Sequence, residues 1–267
     1  MLGIIETPFG FLDTYFFCIN AGIFVTLIVQ IAMLVRKVKW KKAIMFIACY
    51  YVLLWLGQFA SAFVRCANDG ALDGKMNLLR GVLEQAGTHF LGHVLMYSLF
   101  LIPLLWIVSS LFMEPEMEGL LKGANILFIC LPIQHIFNRL GCFCRGCCYG
   151  IPYGGVMGIS FPQNEDIIYD KVFPTQLFEI GCMLVLLCFA VMKYRKGENI
   201  LGIIMIGFAV TFFVSEFLTC NPYAVRHLGL TYVQYFSIFE LFLGILITKI
   251  YVKKTNSNNE KEDKDEK

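Results

Sequence analysis

The stretch "GANILFICLPIQHIFNRLGCFCRGCCYG", residues 123–150, opens with fifteen residues that include no Asp, Glu, Lys or Arg and one histidine, His135. It closes with two arginines and four cysteines inside a glycine-rich turn sequence. A hydrocarbon core about 30 Å thick takes about 20 helical residues to cross. The apolar part is therefore short for a lipid-facing span, and it reads equally as a helix buried by other protein segments. What surrounds it decides the class of the protein.

Longer apolar runs lie on both sides, at 16–35, 43–64, 90–112, 176–192, 200–218 and 228–252. With the run at 123–137 they predict about seven transmembrane helices. Of the 267 residues, 58% are hydrophobic and 16% charged, a composition that argues against a soluble domain. Lysines and arginines set the orientation. Arg36, Lys37, Lys39, Lys41 and Lys42 crowd the first loop, Lys193, Arg195 and Lys196 the fifth, and a further group follows the last span. With Lys122 that side holds fifteen of the twenty-two basic residues. The expectation is an all-α polytopic membrane protein, N-terminus outside and C-terminus cytoplasmic. A single transmembrane domain over 1–252 carries an outward-facing motif loop at 138–175, and a disordered tail follows at 253–267. No positively charged region precedes the first apolar run, so that run is read as a span and not as a cleaved signal. No nucleic-acid partner is expected.

Ionisable groups at membrane depth are costly unless paired or wetted, so each marks a candidate site. They are His93, His135, Arg139, Glu179, Glu216 and Glu240. Glu240 and His135 are read as structural groups that tie helices by hydrogen bonds. Arg139 and Glu216 fall near the outer ends of their runs, where an arginine meets a lipid phosphate as a planar bidentate partner.

Four readings fit Cys142, Cys144, Cys147 and Cys148. A structural zinc site commonly uses two separated C-x2-C pairs, and the single block C-x-C-x2-C-C is a weaker match. A redox pair needs only Cys144 and Cys147, with Arg145 lowering a thiol pKa. An inert disulfide suits an oxidising compartment. Packing by small soft side chains suits a reducing one. Spacing alone does not choose among them.

"NRLGCFCRGCCYG" (138–150) followed by "FPTQLFE" (173–179) resembles the signature of the prolipoprotein diacylglyceryl transferases, whose motif runs Gly-Arg-Ile-Gly-Asn-Phe-x-Asn-Gly-Glu-x-Tyr-Gly before a Pro-Ser/Thr-Gln-Leu-Tyr-Glu segment. A divergent branch carries cysteines in place of the asparagine and the glutamate. The resemblance implies a multi-pass bacterial cell-membrane enzyme that moves the diacylglyceryl group of phosphatidylglycerol, or another phospholipid, to the lipobox cysteine of an exported lipoprotein precursor. It implies no metal and no dissociable cofactor.

Residue by residue, the resemblance makes Arg139 the catalytic clamp on the departing phosphate and Glu216, in "FFVSEF", a catalytic partner that orients it or the head group. His89 and His93 in "THFLGHVL" are candidate bases. Tyr15, Gly141, Gly150, Gln176, Glu179, Gln234 and Arg226 are implied to shape the substrate site. The departures are equally specific. A second essential arginine falls on Phe212, another arginine on Thr219, and the strict histidine on Leu91; the motif's asparagine is Cys142 and its glutamate Cys147. Arg226 is the candidate replacement for the lost positive charge. A transferase predicts sensitivity to Arg139→Ala and tolerance of serine at the cysteines. Two alternatives make other predictions: a membrane thiol or metal redox protein the reverse, and a lipid-binding paralogue with another acceptor, or with no catalysis, no transfer at all.

Overall fold

The computed structural model describes residues 4–7, 10–34, 40, 43–44, 47–48, 51–52, 117–161, 170–198, 200–220 and 226–265. A short antiparallel hairpin, β1 (Ile4–Thr7) and β2 (Gly10–Asp13), leads directly into α1 (Thr14–Leu34). Then follow α2 (Met117–Arg145), α3 (Thr175–Arg195) and α4 (Leu201–Leu218). A two-residue hairpin, β3 (Arg226–His227) with β4 (Leu230–Thr231), precedes α5 (Tyr232–Asp265).

Among the described residues, four helices are long and apolar enough to cross a membrane: Thr14–Leu34, Thr175–Arg195, Leu201–Leu218 and Tyr232–Lys249. They coincide with four of the runs read from sequence. The expected span at 90–112 and most of that at 43–64 lie outside the described residues, as do His89, Leu91 and His93.

Helix α1 is turned inside out relative to a helix of a soluble protein. The buried side of α1 recurs every fourth residue as Thr14, Cys18, Gly22, Thr26, Gln30 and Leu34, mostly small or polar. Phe16, Phe17, Phe24, Ile28 and Ile31 are exposed. Water would not favour that distribution, whereas hydrocarbon favours it, because lipid solvates the phenylalanines and interhelical packing selects small residues. Thr26 follows the rule, donating to the Gly22 carbonyl oxygen at 2.9 Å.

The apolar run at 123–137 is short because protein covers it. In α2 the side chains of Ile126, Phe128, Ile129, Cys130 and Leu131 are buried, and so are those of Asn125, Gln134, His135, Asn138 and Arg139. This helix packs between α1 and α3. Gly22 lets α1 lie against Phe137, where an added Cβ would come within 2.7 Å of the phenylalanine Cβ. Asn125 ties the far end of the layer, its Oδ1 accepting from the Ile200 N–H at 3.1 Å, just ahead of α4. On the other flank α4 and α5 meet at Gly202 and Gly244, each facing the other's carbonyl.

Two boundaries differ from expectation. The motif loop begins at Gly146 and not at residue 138, because α2 continues through Arg145. Arg139, Gly141, Cys142 and Cys144 are therefore helical. The backbone of the expected disordered tail continues α5 as far as Asp265.

Candidate active site

Helical spacing builds the first half of the site. His135, Arg139 and Cys142 stand at i, i+4 and i+7 along α2 and share one face. Gln176 and Glu179, at i and i+3 near the start of α3, share another. The two faces meet in a buried ion pair. Arg139 Nε donates to Glu179 Oε2 at 2.6 Å, and Arg139 Nη2 donates to Oε1 at 2.9 Å. His135 Nε2 lies 2.8 Å from the same Oε2. A carboxylate only accepts, so that ring nitrogen carries the proton.

The three side chains are 2%, 1% and 0% exposed for Arg139, Glu179 and His135. The fork geometry fixes the guanidinium plane, and two of its five N–H donors go to Glu179 among the described residues. Phe212 and Phe208 of α4 set their rings edge-on to the His135 imidazole, with centroids 5.2 and 5.8 Å away. The partner that orients Arg139 is thus Glu179. Glu216, expected in that role, is half-buried on α4, where it interacts with Thr231 and with the charge of Arg226. Arg226 itself is exposed on β3.

The second half of the site is a helix cap. Gly146 follows α2 with φ +76°, the left-handed conformation that glycine adopts most easily. Its N–H donates to the Phe143 carbonyl oxygen at 3.2 Å and to that of Cys142 at 2.9 Å, while the Cys147 N–H reaches the Cys142 carbonyl at 3.1 Å. This is the Schellman pattern, and it folds the chain back so that Cys147 lies over Cys142. Two α3 side chains then hold the loop. Gln176 Nε2 donates to the Cys147 carbonyl oxygen and Thr175 Oγ1 to that of Cys148, each at 2.7 Å.

Beyond the cap, the Gly150 N–H donates to the Phe173 carbonyl and the Ile151 N–H to the Leu218 carbonyl, both at 2.9 Å. A Cβ at Gly150 would collide with the Phe173 oxygen and lie 2.7 Å from that of Leu218. The cysteine loop, the "FPTQ" segment and the end of α4 therefore converge on one glycine. Thr219 sits in the bridge opposite it.

Not every expected site residue joins this cluster. Tyr15 does: it is buried, and the Arg145 guanidinium carbon lies 5.7 Å from its ring centroid. Gly141 serves the contact between α1 and α2, since an added Cβ would meet Tyr15 and Cys18 at 3.1–3.2 Å. Gln234 is occupied by structure. Its Oε1 accepts from the Thr231 N–H at 3.0 Å, its own N–H donates to Thr231 Oγ1 at 3.4 Å, and its Nε2 donates to the Phe213 carbonyl at 3.4 Å. The first two bonds are the reciprocal capping box of "TYVQ" at the start of α5.

The four motif cysteines do not act together. The Sγ atoms of Cys142, Cys147 and Cys148 lie within 4.8 Å of one another. Cys144, two residues along the helix from Cys142, faces away and neighbours Cys18. Contact with Cys142 lowers the Cys147 pKa, but contact with Cys148 and burial raise it further, leaving a thiol pushed up to about 12. Cys147 neighbours Cys142 and Cys148 while Cys144 neighbours Cys18, which counts against a reactive Cys144–Cys147 pair.

The chain matches the family model described as prolipoprotein diacylglyceryl transferase over residues 15–250. It is 32% identical over 137 residues to phosphatidylglycerol–prolipoprotein diacylglyceryl transferase 2 of Clostridium perfringens, covering 49% of this chain and 53% of that protein. To phosphatidylglycerol–prolipoprotein diacylglyceryl transferase of Clostridium tetani it is 27% identical over 144 residues, covering 52% of this chain and 57% of the other. The matched sequence thus spans little more than half the length of either relative. The family match itself takes in α1, the Arg139–Glu179 pair, the cysteine cap and most of α5, and on that extent the chain belongs to the prolipoprotein diacylglyceryl transferase family.

Proposed function

We propose that this protein transfers the diacylglyceryl group of phosphatidylglycerol to the lipobox cysteine of an exported lipoprotein precursor, as a multi-pass enzyme of a bacterial cell membrane. The observation that carries the reading is the Arg139–Glu179 fork with His135 on the same carboxylate. Breaking a buried pair of this kind costs about 3–5 kcal/mol, so its presence among apolar helices calls for a task. Glu179 holds the guanidinium in one plane and leaves donors to meet the phosphate oxygens on which charge develops as the ester bond breaks. Away from water such a preset cation is worth far more than it is in solution. The relatives' names specify the same donor and acceptor for those proteins.

In the step itself, sulfur bonds to the glyceryl carbon that carries the phosphate ester. The carbon–oxygen bond breaks, and glycerol phosphate leaves with the electron pair. The lipid binds among Arg139, Tyr15 and the Gly150 turn, and Glu216 with Arg226 lines the end of α4. His89 and His93 keep their place as candidate bases.

One observation favours a second reading, a lipid-binding relative without turnover: Phe212 fills the position of the family's second arginine and packs on His135. Purified protein in phosphatidylglycerol vesicles separates the two. Mass spectrometry of a lipobox peptide is expected to show the added diacylglyceryl group, and to lose it with Arg139→Ala or when phosphatidylethanolamine replaces the donor. Vesicle binding with an unmodified peptide would favour the second reading.

A further inference from the structure

Three of the chain's cysteines are arranged with more care than packing needs. A Schellman cap brings the residue after its glycine onto the residue three before the helix end, and that contact is ordinarily a pair of apolar side chains. Cys142 and Cys147 satisfy it as small soft groups. Cys148 is not required by the cap, yet it takes φ +56°, a conformation that costs a residue with a Cβ on the order of 1–3 kcal/mol. Its effect is to carry a third sulfur to the same point, within 4.8 Å of both others. Thr175 and Gln176 pin the carbonyls of Cys148 and Cys147, so the loop is held in this form by α3.

We propose that Cys142, Cys147 and Cys148 bind one zinc ion as thiolates, and that the open fourth position takes the acceptor cysteine. The donor set selects the metal. Three sulfurs without a carboxylate or carbonyl suit a thiophilic ion and exclude calcium and magnesium. A tetrahedral zinc with bonds of about 2.3 Å holds its sulfurs about 3.8 Å apart, so the cluster needs to close by no more than about 1 Å.

The ligand count selects the role. Structural zinc sites are closed by four protein ligands, whereas three ligands leave a position for substrate. Among the described residues three sulfurs converge, and Cys144, which faces Cys18, does not complete a fourth. Three thiolates and a divalent cation sum to −1, a small net charge for the site to hold.

The ion site stands by itself; the role of its open position rests on the transferase reading. A thiol that coordinates zinc is deprotonated outright, so the ion supplies the nucleophile. The acceptor thiol gives its proton to solvent on binding, and its sulfur attacks the glyceryl carbon. The new carbon–sulfur bond forms as the carbon–oxygen bond to phosphate breaks, and the electron pair leaves with glycerol phosphate. Nothing is oxidised or reduced. The motif residues replaced by cysteine are then the ones that built the site. Serine is tolerated at Cys144 and not at the other three, which revises the expectation from sequence.

The test is cobalt loading of full-length protein in phosphatidylglycerol nanodiscs. Expected are uptake of a single ion per chain, the near-ultraviolet sulfur-to-cobalt charge-transfer band, and tetrahedral visible bands. Cys144→Ser keeps these signals, while Cys142→Ser and Cys148→Ser lose them. The spectrum of the unaltered chain reports sulfur ligation even where a variant fails to fold, so absence of the band there overturns the site. Adding a lipobox peptide shifts the visible bands and its Cys→Ser version does not; equal responses overturn the open position's role. Chelation is expected to slow transfer about tenfold or more, with recovery on adding zinc. Undiminished transfer by metal-free protein overturns the role and leaves the transferase reading intact. Sulfur bands without transfer under any condition keep the site and remove that reading.

Discussion

Replacing Glu179 with glutamine keeps the size of the side chain and removes its charge, which isolates what the carboxylate does for Arg139. Glu179 accepts three hydrogen bonds, two from Arg139 and one from the His135 ring. Glutamine offers one oxygen and one NH2 group. If the oxygen stays at the Oε2 position it still serves Arg139 Nε and His135, while the NH2 faces the Nη2 donor. One bond is then lost outright, and a buried guanidinium is left without a counter-charge. Breaking such a pair costs about 3–5 kcal/mol. A chain of this size loses about 2–4 °C of melting temperature per kcal/mol, so the drop in detergent is expected to be about 6–20 °C. Glu179→Ala, which empties the space as well, falls at least as far. The measurement is a thermal melt of purified variants followed by intrinsic fluorescence. A Glu179→Gln protein that melts within about 2 °C of the unaltered one would mean that the fork contributes little, and the account of the site would fail at its base.

Other substitutions probe neighbouring parts. Gly150→Ala drives a methyl group into two backbone oxygens that cannot swing aside; it is expected to cost about 1–3 kcal/mol and to abolish transfer, and a melt unchanged from wild type would refute the packing argument. Gln234→Ala removes a capping box and a tie to α4, so stability falls by about 0.5–2 kcal/mol while the transfer rate stays within about threefold. A collapse in rate without loss of stability would return Gln234 to the substrate site. Phe212→Arg, which restores the family's arginine, places a second cation against His135 and Arg139 with a single carboxylate between them. It is expected to destabilise by about 3 kcal/mol or more, and a stable, more active variant would show that the family's arginine arrangement still fits here.

How far the sequence could be read differs from part to part. The spans at α1, α3, α4 and α5 were legible because a membrane imposes length and apolarity directly on sequence. The motif placed Arg139, Gly150, Gln176 and Glu179 in one neighbourhood. What it did not reveal was that Arg139 and Glu179, forty residues apart, form a pair. His135 was read as a structural group that ties helices by hydrogen bonds, and it ties α2 to Glu179 of α3; its place four residues before Arg139 puts it in the same cluster. The end of α2 was misplaced because the apolar run ends at Phe137, whereas the helix continues through Asn138 and Arg139 to Arg145, with Gly141 packed against Tyr15 and Cys18. The true stop is Gly146, followed by Cys147, which completes the Schellman cap. Gln234 carries a second signal: Thr-x-x-Gln ahead of an apolar run marks a helix start, and the capping box is formed.

The most direct test of the central claim is the rate of glycerol phosphate release from phosphatidylglycerol in the presence of a lipobox peptide, compared between the unaltered protein and Arg139→Lys in the same nanodiscs. Lysine keeps the charge but cannot form the fork with Glu179 or present a fixed planar edge to phosphate. The account predicts a fall of about 100-fold with the variant still folded by its melt, the scale expected when a preset donor to a developing charge is removed. Equal rates in a folded Arg139→Lys protein would contradict it, because a site indifferent to the geometry of Arg139 is not organised around that clamp.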